Sequence, residues 1–445
     1  MADRASEAAS IAPVSLKPGS LARLTRQQRY TLFILLLIYV LNFVDRQIVN
    51  ILAEPIKRDL QISDTQLGLL TGFAFAVFYA VLGLPIARYA DRSTTDRVRL
   101  ISVALAAWSI ATALCGLART FPQLVLARIG VGVGEAGCSP AAISLIADTV
   151  PATRRASAFA LYGLGVPIGS LIGLIAGGTL NDAFGWRMAF VVAGVPGVIV
   201  AAIAWATLRE PRRTRPAVPI VRAEKTPSMW NALSELAGSR VIVQLVVGAS
   251  IIAFLGYGKA VWTAVYFMRR FDLSTSQVGI WLGLGAGIAG VAGTWAGGAL
   301  AELLGRRDPR LVLAAPIVGM LAAVPIYLIA YALDDWRIAI SLLAIPTALS
   351  GMYFGPLFAV LQGLVEARSR ATIVAAVSFC QNLIGLGLGP LIFGILSDAL
   401  RSRYGTDSVQ MVLLWTSVLP LIPAWLFWRA SRQLSAQPAN DDVTS

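Results

Sequence analysis

The sequence contains no histidine. That removes imidazole from the roles it commonly fills: general base, proton relay and metal ligand. Cysteine is scarce too. Cys115, Cys138 and Cys380 stand far apart in apolar surroundings without metal-ligand spacing, so they read as small buried side chains. No cofactor motif is present either, and none is expected. Charge is thin: 14% of the 445 residues are Asp, Glu, Lys or Arg, where a soluble chain carries about 25%. Acids are fewer than bases, 24 against 37, for a formal net charge of +13. In a soluble protein that excess would suggest nucleic acid. An apolar run is also missing from the first ~28 residues, so no cleaved signal peptide is expected and the first long run should itself direct insertion.

What the sequence does have is hydrophobic surface, 57% of its residues, with a mean hydropathy of +0.71. Windows of about 20 apolar residues, the length of a bilayer-crossing helix, give twelve spans. Their limits are 30–52, 66–88, 98–118, 122–146, 156–180 and 187–208, then 240–267, 277–303, 310–332, 337–363, 371–397 and 408–430. Between the sixth and seventh lies Arg209 to Ser239, rich in Arg, Pro and Glu, which reads as a solvent-exposed linker. The predicted fold is an all-α membrane protein, twelve transmembrane helices in two six-helix bundles. Its parts are a tail at 1–29, bundles at 30–208 and 240–430, the linker at 209–239 and a tail at 431–445. Basic residues crowd the loops on one side, among them Arg88, Arg92, Arg97, Arg99, Arg154, Arg155 and the linker arginines. The positive-inside rule then places both termini in the cytoplasm of a multi-pass protein of the cell membrane. The same asymmetry explains the net charge without nucleic acid; the macromolecular surroundings expected are the lipid bilayer.

Polar residues inside the spans carry the functional signal. Span 1 holds Asn42, Asp45, Arg46 and Asn50 on one arc of roughly 140°. Ionised groups at that depth cost roughly 2.5–3.5 kcal/mol each and persist where they face protein or a wet path. Span 4 adds Arg128 and Glu135, seven apart and so on one face. Between them Gly130, Gly132 and Gly134 allow close helix approach. At 1.5 Å per residue, Asp45 and Arg128 lie roughly 10 and 9 Å below the outer ends of their spans, with Glu135 near the midplane. Asp45 and Arg128 can therefore pair if the two spans are neighbours. The planar fork of Arg46 suits a phosphate or carboxylate. Arg128 is either a strut for Asp45 or a substrate or coupling residue. Without histidine, Glu135 and Asp45 are the residues left to carry a proton within the membrane. Lys259, roughly 28 Å into span 7, either snorkels to the outer interface or joins the binding group. Tyr162, Tyr353, Gln381, Asn382 and Ser378 either line a cavity or hold helices together. Trp186 and Trp336, near span ends, read as interfacial belt residues.

The halves also echo each other. Ala87-Arg88-Tyr89-Ala90-Asp91-Arg92 follows span 2, and Gly298-Ala299-Leu300-Ala301-Glu302-Leu303-Leu304-Gly305-Arg306-Arg307 follows span 8. Thr153-Arg154-Arg155-Ala156 precedes span 5 as Ala367-Arg368-Ser369-Arg370-Ala371 precedes span 11, and both feed Gly-rich helices. Parallel six-span repeats are a transporter architecture. The loops after spans 2 and 8 resemble the signature G-x-L-a-D-R-x-G-R-R of the major facilitator superfamily, the second copy closely and the first with Ala87 in place of glycine. The likeness covers residues 25–432. Within the superfamily, Asn42-Phe43-Val44-Asp45-Arg46 and Ala127-Arg128-Ile129-Gly130-Val131-Gly132-Val133-Gly134-Glu135-Ala136 resemble the spinster branch, associated in animals with export of lysolipids and sphingoid phosphates.

The resemblance implies a secondary transporter, not an enzyme, working by alternating access as a monomer around one site between the bundles. The binding and coupling set is then Asn42, Asp45, Arg46, Arg128, Glu135, Tyr162 and Lys259. An amphipathic anion would place its head on Arg46 and Arg128 and its tail on the apolar second bundle, with protons as possible partners. The alternative is a proton-coupled carrier of a small organic anion, a carboxylate or sugar acid. The resemblance further implies a cytoplasmic gate: Asp91 with Arg92 and Arg97, and Glu302 with Arg306, latching the halves near the N-termini of spans 5 and 11, where partial positive charge attracts carboxylates.

Overall fold

A computed structural model describes residues 24–92, 94–213, 238–365 and 370–434. Most of the predicted linker, most of each predicted tail and Arg368 fall outside these residues. Among the described residues, ten helical stretches are long and apolar enough to cross a membrane, and two of them, 57 and 62 residues long, each hold two passes. Gly185 (φ 80°) interrupts the first and Gly405 (φ 56°) the second, in backbone that a Cβ would disfavour. Twelve passes result. They are α1 (Arg26–Ile51), α2 (Asp64–Asp91), α3 (Arg97–Leu117), α4 (Phe121–Thr149), α5 (155–184) and α6 (186–207) in one half. The other half holds α7 (Arg240–Arg270), α8 (Thr275–Gly305), α9 (Pro309–Ala332), α10 (Trp336–Gly363), α11 (370–404) and α12 (408–433).

Local chemistry sets where the passes begin. Thr25 with Gln28, Ser63 with Gln66 and Ser274 with Gln277 form capping boxes that satisfy amides left open at the starts of α1, α2 and α8. In lipid the hydrophobic effect does not drive helices together, so small residues that allow close contact do much of it. Gly165, Gly169, Gly173 and Gly177 form a stripe along α5, and α1 lies on it through Tyr39, Val40, Phe43, Val44 and Ile48. The outward faces carry exposed apolar side chains such as Phe33, Ile110 and Trp295, as lipid contact requires. Trp186, predicted at the interface, is instead buried and packs edge-on to Phe190. It follows directly on the Gly185 turn, which swings it back onto the bundle.

Call the face where α1 begins the terminal face, and the one where it ends the far face. Near the far face Gly68 of α2 lies against the backbone of Pro390 and Leu391 in α11, and Gly279 of α8 against Leu174 of α5. The main apolar core runs through both halves there, including Leu67, Leu174, Val278 and Phe393. Towards the terminal face, Ile242, Leu357, Ile373 and Phe427 of the second half form a separate core of their own. The two halves are thus packed together at the far face and part towards the terminal face. Midway, α2 and α11 each contain a wide π-helical segment, Leu69–Phe73 and Gln381–Leu388.

Candidate functional site

Four charged side chains meet inside the first half. Arg46 Nε of α1 donates to Glu135 Oε2 of α4 at 2.8 Å. The guanidinium of Arg46 also faces aromatic rings: its central carbon lies 4.5 Å from the ring of Tyr79, 5.0 Å from Phe75 and 5.3 Å from Phe43. Arg128 is buried, 5.1 Å from the same Phe75 ring, and its Nε has no partner among the described residues. Asp45 is buried too, facing the Thr112 hydroxyl and Trp108 indole of α3, neither of which closes an ordinary hydrogen bond. Gly132 and Gly134 lie on the backbones of Phe75 and Trp108, which is how α4 comes close enough to bring its charges in. Two carboxylates and two guanidiniums balance, the condition under which buried charge is tolerated.

The expected Asp45–Arg128 ion pair is not made; Arg46 takes Glu135 instead. Neighbouring residues on a helix point about 100° apart, and here Asp45 is turned towards α3 while Arg46 reaches α4. Asn42 is buried, its Oδ1 unpartnered among the described residues. Tyr162 stacks on Tyr39 of α1, ring centroids 4.3 Å apart. The site is not closed off: the Arg46 side chain stays 11% exposed, where Glu135 is 0%. Tyr257 of α7, in the other half, lies within electrostatic range of Arg46, and the hydroxyl of Tyr353 accepts from Gln381 Nε2 at 3.1 Å. Sequence reasoning missed Tyr39, Phe75, Tyr79 and Tyr257. Single aromatic residues within apolar spans carry no periodic or charge signal.

Lys259 is not brought to this group. It is buried in the second half, Nζ 3.2 Å from Ser417 Oγ and 3.2 Å from the Tyr327 ring centre, and it does not reach the outer interface. No carboxylate pairs with it among the described residues. Its place on α7 faces α9 and α12 rather than α1.

The far face is closed by a device the sequence analysis overlooked, built twice. Asp398 at the end of α11 accepts from the backbone amides of Asp64 (3.1 Å) and Thr65 (2.7 Å) and from Thr65 Oγ1 (2.7 Å), so it caps α2 from the other half. Asp182 at the end of α5 likewise accepts from the Ser276 amide of α8 at 2.8 Å, and Asn181 Nδ2 donates to Thr275 Oγ1 at 2.9 Å. A carboxylate at a helix N-terminus is favoured by the aligned peptide dipoles. The repeat is legible afterwards: Leu180-Asn181-Asp182-Ala183 matches Leu396-Ser397-Asp398-Ala399, and Ser63-x-x-Gln66 matches Ser274-x-x-Gln277. The α2 copy is reinforced by charge. Arg269 of α7 binds Glu54 at 2.7 Å and Asp64 at 2.8 Å, Ser397 Oγ donates to Asp64 at 2.6 Å, and Lys57 pairs with Asp64 as well.

At the terminal face the expected latch residues do not meet across the halves. Asp91 is exposed without an ion partner among the described residues, and Arg92 lies over Tyr89. Glu302 and Arg306 pair with each other on the surface of one helix, at 2.6 Å. Arg97 is fully buried within its own half, bound to Glu210 at 2.6 Å and Asp148 at 2.7 Å. The physical reason is the separation of the halves at that face. Residues 209–213, expected in the linker, are instead tied to the bundle: Arg212 donates to the carbonyls of Ala90 and Arg92, both at 2.8 Å.

The fold, two six-helix halves with a buried charged cluster in the first, has counterparts among known proteins. Residues 35–390 match the Major Facilitator Superfamily. A crystal structure of a bacterial homolog to human lysosomal transporter, spinster, in an inward-facing and unoccupied conformation, superposes with a TM-score of 0.83 at 33% identity, covering 92% of this chain and 98% of that one. An MFS-type efflux pump of Mycolicibacterium smegmatis is 35% identical over 89% of this chain and 91% of its own. A hexuronate transporter of Bacillus subtilis is 26% identical over 81% and 85%. The chain belongs to the Major Facilitator Superfamily as a multi-pass membrane transporter of the spinster branch, and is not an enzyme.

Proposed function

We propose that the protein moves an amphipathic anion of the lysophospholipid or sphingoid phosphate type by alternating access between its halves. The observation that carries this reading is the Arg46–Glu135 pair, set in aromatic rings, with the Arg46 side chain still 11% exposed and Tyr257 of the other half within electrostatic range of it. An anionic head competes with Glu135 for the Arg46 fork, and Arg128, with an unsatisfied Nε nearby, is the second contact. A carboxylate displaced from its guanidinium partner takes up a proton more readily. That exchange links substrate to protons through Glu135, with Asp45 as the second carrier.

With both termini in the cytoplasm, the state described is open inward and sealed outside by the Asp182 and Asp398 caps. Asp91, Arg92 and Arg97, with Glu302 and Arg306, form the latch of the opposite state. The relative in an inward-facing conformation supports this assignment.

Similarity to a hexuronate transporter favours a second reading, a proton-coupled carrier of a small carboxylate or sugar acid. A thermal-shift panel on purified protein separates the two, since a ligand raises stability by RT ln(1 + [L]/Kd). Lysolipids should shift the midpoint and hexuronates should not. The reverse pattern replaces the first reading with the second.

A further inference from the structure

Beyond the Glu54–Arg269 closure, on the far face, lies a cavity of about 450 Å³, within the size range of small-molecule sites. Its walls bring four bases, Lys57, Arg58, Arg269 and Arg401, to a single carboxylate, Glu54. Asp64, just behind the wall, is bound by Lys57 and Arg269, and two further acids stand near it, Asp398 against the Asp64 amide and Asp407 between Thr406 and Ser408. Asp398 is occupied by the first amides of α2 and Asp407 by Arg270. Glu54 and Asp64 are also spent. Glu54 already accepts from Arg58 Nε at 3.0 Å and from Arg269, and Asp64 from Lys57, Arg269 and Ser397. What remains unpaired is donor capacity. Arg58 uses only Nε, and Arg401 has no ion partner among the described residues. Thr406 and Ser408 add hydroxyls to the same wall.

We infer that this cavity is a second binding site, for an oxyanion of the phosphate-monoester class, held by Arg58 and Arg401 with Lys57 and Arg269 behind them. Guanidinium forks bind phosphate oxygens in pairs, and a half-enclosed wall screens them less than open water does. The site stands apart from the central cluster and does not depend on the reading given to it. The oxyanion is either a free phosphate monoester or the headgroup of a lipid at the bilayer surface.

The test uses the full chain in phosphatidylcholine nanodiscs, with Cys380 replaced by alanine and Thr406→Cys as reporter on the cavity wall. Glycerol 3-phosphate at ten times its Kd should slow maleimide labelling of the reporter about tenfold, by simple occupancy. Arg58→Gln with Arg401→Gln should abolish the protection. Arg46→Ala, which removes the central contact, should leave it intact. Protection by phosphatidylglycerol built into the disc, without soluble phosphate, identifies the lipid headgroup as the source and supports the site equally. No protection by either probe overturns the proposal. So does protection that survives the double arginine variant, or protection lost in Arg46→Ala. Failure of the central-site reading would show instead as transport indifferent to Arg46→Ala.

Discussion

The cap that Asp398 places on α2 gives the most quantitative prediction. Asp398→Ala removes the acceptor of three hydrogen bonds, from the Asp64 amide, the Thr65 amide and the Thr65 hydroxyl. Fully buried, charge-assisted bonds of this kind contribute about 1.5–3 kcal/mol each. Asp398 is only half-buried, however, and in the alternate state water solvates the same amides. The scale of an ordinary N-cap, about 1–2 kcal/mol, is therefore the better guide, with a few tenths more from the lost charge at the helix N-terminus. About 2 kcal/mol against the closed far face shifts the two-state ratio about thirtyfold. Ile62→Cys makes a suitable reporter, since Ile62 is buried beside the closure. Cys115 and Cys138 are buried, so with Cys380 removed the native background is silent. A membrane-impermeant maleimide applied from the far face should label the reporter about thirtyfold faster in Asp398→Ala, while Asp398→Asn, which keeps one acceptor, falls between. Asp182→Ala acts on the other copy, and two separate contacts on one equilibrium should add, so the double variant shifts the ratio further. Labelling within about threefold of the parent in the double variant would refute the account, since the caps would then contribute under about 0.7 kcal/mol.

Other expectations concern the interior. Glu135→Gln should leave substrate-dependent thermal stabilisation in place while making proteoliposome uptake indifferent to an imposed pH gradient; retained gradient dependence would move proton coupling to Asp45. Arg46→Lys keeps the charge but loses the planar contact with Tyr79, Phe75 and Phe43, worth about 0.5–2 kcal/mol, so lysolipid affinity in the thermal-shift assay should fall about tenfold. Arg97→Ala leaves Glu210, itself nearly fully buried, with only the Arg97 and Arg212 backbone amides as partners among the described residues, and should destabilise the protein by about 3 kcal/mol, the low end for breaking a buried pair, seen as a loss of thermal midpoint. Lys259→Met removes a buried amine without a carboxylate partner among the described residues, so the midpoint should hold or rise and transport should persist; abolished transport would put Lys259 back in the binding group.

The sequence made the twelve passes legible because a bilayer imposes a length and a polarity on every segment that crosses it. It also singled out Asp45, Arg46, Arg128 and Glu135, since charge within a span is costly and therefore conspicuous. Which charge pairs with which was not legible. That depends on side-chain direction at one residue's resolution, and Arg46, not Asp45, points at α4. Lys259 was conspicuous for the same reason, but the sequence cannot say which neighbours a helix turns it towards. The caps at Asp182 and Asp398 were hidden differently. Each looks like an ordinary polar residue at a span end, and only matching the two Leu-x-Asp-Ala stretches to the two Ser-x-x-Gln starts reveals a partnership across the halves.

One helix joins the far-face seal to the buried charges. Its first turn is held by Asp398, and Phe75, a few turns on, lies near both Arg46 and Arg128. Between those two points sits the wide segment Leu69–Phe73, against its counterpart Gln381–Leu388 in α11. Such widened turns hold an extra residue per turn, which gives the rod a built-in swivel. Loosening at the rim can then twist the lower length of α2 and carry the ring beneath both guanidiniums with it, so the seal and the cargo would feel each other through a single shaft.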